Sequence, residues 1–192
     1  MSRSAIRLAF FVLALALVCA APLQARDSSL SAAAEIGGRN LVMNGEATRT
    51  VWGFEVYKIR LYLHELMRDA EKILAAKEHP KRIEIVMLRS VDEDQFSSTV
   101  QQSIDNNFTP EEKEKFAGQL KEFLGCFNKG ADLQPGNVII IDYAPSAGMI
   151  VKLDGRTLDT IPGADFYHAI LRLWLGKPLQ QSIKDGLVGA GD

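Results

Sequence analysis

Apolar and polar positions alternate most regularly between residues 54 and 63. Phe54, Val56, Lys58, Arg60 and Tyr62 fall on one side of an extended chain, and Glu55, Tyr57, Ile59, Leu61 and Leu63 on the other. The second set is mostly apolar, so the period of two predicts a half-buried strand. Residues from Arg39 onward are also rich in Val, Leu and Trp, with turn signals at Asn44-Gly45 and Gly53. Together these stretches predict two long antiparallel strands. Further strands are expected over Lys81–Arg89, Asn137–Tyr143, Met149–Leu153 and Arg156–Ile161, the last three separated by turns at residues 144–148 and at Asp154-Gly155.

Helical spacing fills the gaps. Asp69 to Lys77 reads as a short helix. Ser90 followed by Glu93 forms a capping-box pattern, so a helix should begin at once, with Phe96, Val100 and Ile104 as its apolar stripe and Thr99 and Ser103 on the same side. Thr109-Pro110-Glu111-Glu112 is a stronger start signal, followed by Phe116, Leu120, Phe123, Leu124 and Phe127 at helical spacing to an end near Gly130. Pro162-Gly163 opens a helix from Ala164 to Leu175, stopped by Gly176 and Pro178. Leu179, Ile183 and Leu187 stripe a last short helix. Residues 26 to 37, rich in Ser and Ala, are expected to form a loose leader. The order β-β-α-β-α-α-β-β-β-α-α predicts an α+β domain: an antiparallel sheet with helices gathered on one face.

The first 25 residues have a different pattern. Arg3 and Arg7 precede an apolar run from Leu8, and Pro22-Leu23-Gln24-Ala25 leads to the charged pair Arg26-Asp27. This is the arrangement of a secretory signal peptide. The 16 uncharged residues from Leu8 to Leu23 include Pro22 and fall short of the roughly 20 that a spanning helix requires. Cleavage is expected after Ala25, with Ala20 or Ala21 as alternatives. Val18 before Cys19 argues against a lipoprotein signal. Removal of 25 residues leaves residues 26–192 as one exported domain of 167 residues, with 20 basic and 24 acidic side chains and a charge of −4. No other run is apolar and charge-free enough to span a bilayer, so a periplasmic or otherwise exported protein is expected.

Composition narrows the chemistry. Apolar residues make up 47% and charged residues 24%, which suits a packed domain rather than a disordered chain. A pI near 6.0 without a basic cluster argues against nucleic acid as a partner. His64, His79 and His168 sit on separate elements with no ligand partners at metal spacing, so no metal and no cofactor are expected. No G-x-S-x-G elbow is present, and Gly37-Gly38-Arg39 lacks the spacing of a phosphate loop. Cys126, between Gly125 and Phe127 on an apolar helix, reads as a buried, inert thiol.

A family resemblance extends the reading. The stretch Gly45-Glu-Ala-Thr-Arg49-Thr-Val-Trp-Gly-Phe-Glu-Val-Tyr57-Lys-Ile-Arg-Leu-Tyr62-Leu63 resembles the opening hairpin of the chalcone isomerase-like superfamily. The likeness continues through Gln95–Ser103, the Pro135-Gly136 turn and its strand, Ala169–Gly176 and the Ser182–Gly189 tail. It covers nearly the whole mature chain and is most specific to the exported bacterial branch. It implies an open-faced β-sandwich of the chalcone isomerase type, with a large antiparallel sheet, a layer of helices on one face, and a cleft between them for an apolar planar or acyl ligand.

In the plant enzymes an early-hairpin arginine stabilises a phenolate, a threonine and a tyrosine polarise the ketone, and an asparagine and a serine or threonine contact the far ring. Carried over, the arginine falls on Arg49, the threonine on Tyr57, the tyrosine on Phe96, the asparagine on Ser103 and the serine/threonine on Leu173. Only the arginine is retained as such. Losing one oxyanion donor typically costs 10²–10³ in rate, so authentic chalcone cyclisation is not expected. The resemblance therefore implies a non-catalytic binder of a fatty acid or similar amphipathic ligand, with Arg49, Tyr57, Phe96, Ser103 and Leu173 as ligand-binding residues. One alternative is an isomerase or intramolecular lyase with Arg49 as anion stabiliser and Tyr57 as proton donor. Another is a tetrapyrrole binder using His168, and a third is a structural or interaction protein of the cell envelope. The sequence names no protein partner.

Overall fold

The computed structural model describes residues 33–127 and 132–189. The signal-peptide segment, residues 1–25, and the greater part of the expected leader lie outside the described residues. The alternation that begins at Phe54 becomes β3 (Phe54–Leu63), whose Ile59, Leu61 and Leu63 are completely buried beneath the helices. It pairs antiparallel with β2 (Arg39–Val51). The sheet continues through β4 (Lys81–Met87), β5 (Val138–Ala144), β6 (Gly148–Leu153) and β7 (Arg156–Ile161), each strand hydrogen-bonded to the one before it. Ile83, Ile85, Met87, Ile139, Ile141 and Val151 extend the apolar face.

A further strand was not expected. Residues 33–36 form β1 (Ala33–Ile36), paired with the start of β2. Gly37 and Gly38, with φ of 57° and 75°, supply the positive φ that a tight two-residue hairpin demands. The pair is thus a hairpin turn, and the leader reading fails at its last residues. Ala34 and Ile36 join Leu41, Tyr62 and, from β5, Ala144 on the face away from the helices. Strands so far apart in the sheet order meet only because the sheet curls into a half-barrel.

Helices cover the other face: α1 (Ala70–Ala75), α2 (Glu93–Asn107), α3 (Pro110–Lys115), α4 (Ala117–Gly125), α5 (Ala164–Leu175) and α6 (Gln181–Leu187). The Thr109 start signal behaves as expected, Thr109 and Glu112 completing the reciprocal capping box of α3, while the helix expected over Asp69–Lys77 is shorter, capped by Asp69 and ending at Ala75. Helix α5 has the predicted bounds and is buried almost all round, because the sheet lies beneath it and other helices lie beside it.

Three local expectations need correction. Asn44-Gly45 is not a turn but a bulge inside β2, where the register slips between Met43 and Gly45. The buried Asn44 amide donates to the carbonyls of Met67 (2.9 Å) and Leu187 (2.8 Å) and accepts from the Met67 amide (2.7 Å). Its side chain thereby ties β2 to the chain after β3 and to α6. Helix α2 is capped by Asp92, not Ser90, its carboxylate accepting from the Gln95 amide at 2.8 Å. Val91 remains extended because it exchanges backbone hydrogen bonds with Leu133 (2.9 and 3.0 Å). Finally, the helix expected from Thr109 to about Gly130 breaks at Phe116 into α3 and α4 and stops at Gly125. Cys126 caps that end, buried, with its thiol 3.5 Å from the Glu122 carbonyl.

Candidate ligand cleft

The sheet and the helices do not close on each other everywhere. Between β2–β5 on one side and α2, the end of α4, α5 and the start of α6 on the other lies a cleft of about 580 Å³. That volume is within the range typical of small-molecule sites. Arg49, Tyr57, Phe96, Ser103 and Leu173, which come from four separate elements, all line it.

Arg49 and Tyr57 are register partners across β2 and β3, which puts them side by side on the helix-facing surface. The Arg49 guanidinium is positioned by the segment before α6. Its Nη1 donates to Gln180 Oε1 (2.9 Å) and to the Thr50 carbonyl (3.1 Å). Gln180 Oε1 also accepts from the Thr50 amide (2.9 Å), while its Nε2 donates to the Thr48 carbonyl (3.2 Å) and to Ser182 Oγ (2.7 Å). Gln180 therefore clamps both the bulged end of β2 and the arginine. None of the ion pairs among the described residues uses Arg49.

Burial pushes the Tyr57 hydroxyl above the usual tyrosine range, opposed by a hydrogen bond from Trp174 and the nearby Arg49 charge. At neutral pH it is a protonated donor. Phe96 packs its ring 5.0 Å from that of Phe127, which in turn meets Phe123 edge-on at 5.6 Å, and all three rings face the cleft. Ser103 donates to the Thr99 carbonyl (3.1 Å), and Thr99 donates to the Gln95 carbonyl (2.8 Å). Both hydroxyls spend their protons on their own helix and leave only lone pairs for a ligand. Leu173 has a dual place: it is buried in the core and forms part of the cleft wall.

Two features of the wall were not legible in the sequence. One is the Gln180 clamp, since a glutamine before a short helix carries no signal of its own. The other is the charge: among the described lining residues Arg49 and Arg89 are cationic and no Asp or Glu is present. An acidic chain thus presents a positive, otherwise largely apolar cleft. His168 is not part of it. Its Nδ1 lies 2.7 Å from the Ala164 carbonyl and its Nε2 3.2 Å from Lys81 Nζ, which removes the axial-ligand reading. No group of three or more His, Cys, Asp or Glu among the described residues could hold a metal ion.

The openness of the cleft makes a direct expectation. In a filled core, Phe96→Tyr would cost about 1–3 kcal/mol through overpacking or an unmet hydroxyl. Phe96 is half-buried on the cleft wall, so the change is expected to move the urea-unfolding free energy by less than about 0.5 kcal/mol. A loss above about 1 kcal/mol would mean that the space is not available to a side-chain oxygen.

No curated protein matches the sequence. Among solved structures, a fatty-acid binding protein of Arabidopsis thaliana superposes with a TM-score of 0.58 at 15% identity, covering 82% of this chain and 90% of its own. At that identity the match speaks for the fold, including the helix layer over a curled antiparallel sheet. The model of the chalcone isomerase-like family matches residues 23–189, and with this fold in place the chain belongs to that family.

Proposed function

We propose that the chain, exported and cleaved near Ala25, is a non-catalytic periplasmic binder of an amphipathic carboxylate such as a fatty acid. The acyl chain occupies the cleft among Phe96, Phe123, Phe127 and Leu173, and the carboxylate meets Arg49 and Tyr57. The observation that carries this reading is the Arg49 guanidinium, held by Gln180 in a largely apolar cleft with no carboxylate in its wall among the described residues. A cation so placed is complementary to an anion brought by the ligand. The Arabidopsis neighbour, described as a fatty-acid binding protein, supports the reading by sharing the fold.

Catalysis is less well supported. A general acid works best with a pKa near the operating pH, and burial moves Tyr57 away from it. Phe96 brings no hydroxyl. The packed envelope protein fits poorly with a cleft of this volume.

The test compares stearic acid with stearyl alcohol by displacement of a fluorescent fatty-acid analogue at neutral pH. Both share the tail, so their difference isolates the carboxylate. The acid is expected to bind roughly tenfold or more tightly. Equal affinities would remove Arg49 from the recognition, and failure of both ligands would sink the binder.

A further inference from the structure

At the rim of the cleft, β2 turns into β3 through Trp52 and Gly53, with φ of 52° and 81° and Val51 paired to Phe54. Two positive φ values in a two-residue hairpin normally select Asn-Gly or Gly-Gly, and a bulky residue in that conformation is an outlier. Here the first position is tryptophan, and the fold returns nothing for it: the side chain is 94% exposed. Phe54, 60% exposed, follows directly, and Leu88, whose amide donates to the Val56 carbonyl at 2.9 Å, is exposed as well. The Arg89 guanidinium sits 4.7 Å from the centre of the Phe54 ring. Trp52, Phe54 and Arg89 all border the cleft mouth.

We infer that this hairpin tip docks the protein on an anionic phospholipid surface, with the cleft mouth facing the bilayer. The inference rests on the proposed binding of an acyl ligand in that cleft. The chemistry of the rim selects the partner. Exposed indole and phenyl rings partition to the boundary between headgroups and acyl chains, and apolar insertion combines with cationic attraction to anionic lipid. Arg89 supplies the cation where the rings would enter; the nearest carboxylates in sequence, the exposed Glu55 and Asp92, lie outside the cleft lining, and Asp92 is engaged in capping α2. A ligand of this kind has its reservoir in a membrane, so docking at the mouth lets an acyl chain pass between bilayer and cleft without crossing water.

The test uses the full chain, in which Trp52 and Trp174 are the two tryptophans. In a Trp174→Phe background Trp52 is the sole emitter. With vesicles of phosphatidylcholine and phosphatidylglycerol carrying brominated acyl chains, its emission is expected to shift to the blue and be quenched. Phe54→Ala together with Arg89→Glu is expected to raise the lipid concentration needed for half-maximal quenching by roughly tenfold or more. Because bromine reports the depth of the indole itself, attachment through the apolar N-terminal run cannot mimic the signal. An unquenched, water-like Trp52 on protein that sediments with the vesicles would overturn docking by this hairpin. So would quenching that is unaffected by the double variant. Uptake of stearic acid from vesicle-free solution is read separately, so loss of docking and loss of the binding cleft are distinguishable.

Discussion

Replacing Arg49 by methionine is expected to weaken stearic acid binding by roughly 10- to 150-fold while leaving stearyl alcohol almost unaffected. The range corresponds to the 1.5–3 kcal/mol usual for a hydrogen bond to a charged group. The fold should tolerate the change. Arg49 is half-buried, and its ion-pair partner is expected to arrive with the ligand. The Gln180 carbonyl it leaves still accepts from the Thr50 amide at 2.9 Å, and Gln180 keeps its bonds to Thr48 and Ser182. Methionine retains the apolar stem, so the cleft wall stays covered. Paired titrations of acid and alcohol against both proteins check this. A parallel fall for both ligands would mean that Arg49 shapes the cleft without reading the carboxylate.

The second large effect concerns the wall that carries Gln180. A Cβ on Gly45 would stand 2.6 Å from the Leu187 carbonyl oxygen, 2.8 Å from its carbon, and closer still to the Gly186 oxygen. All three are backbone atoms, so no side chain can swing aside. Gly186 is pressed in return against β2, where its own Cβ would meet Ala47 at 3.0 Å. Helix α6 therefore lies on the β2 bulge at a separation set by two glycines. Gly45→Ala is expected to destabilise by about 3 kcal/mol or more, at or beyond the upper end of ordinary overpacking. Because α6 carries Ile183 on the cleft wall and follows Gln180, ligand retention should fall with stability. Gly118→Ala is the control. It lies within α4 with nothing within 4 Å of the added methyl, and should be neutral or stabilising by about 0.5–1 kcal/mol. Urea-unfolding midpoints of the two variants would decide it, and equal shifts would contradict the close-approach account.

Much of the scaffold was legible because its signals are local. The alternation in β3, the Thr109 capping box and the Pro-Gly start and Gly-Pro stop around α5 act over a few residues. What failed was decided by partners distant in sequence. Asn44-Gly45 has the composition of a turn, yet Asn44 spends its amide on Met67 and Leu187, and Gly45 is needed for the approach of α6. The start of α2 moved to Asp92 because Leu133 holds Val91 extended. Ala33–Ile36 gives almost no strand signal without the facing β2.

The cleft was legible only in part. The family resemblance supplied five residues, and the fold gathers them around one cleft, from both the sheet and the helix side. Gln180, Trp174 and Arg89 join that lining through tertiary packing, which no short pattern in the sequence encodes.

Native mass spectrometry of residues 26–192, purified without detergent and followed by extraction of anything bound, tests the central claim most directly. One amphipathic carboxylate per chain, absent from Arg49→Met, is the predicted result. A protein that emerges empty and also refuses added fatty acids would contradict it.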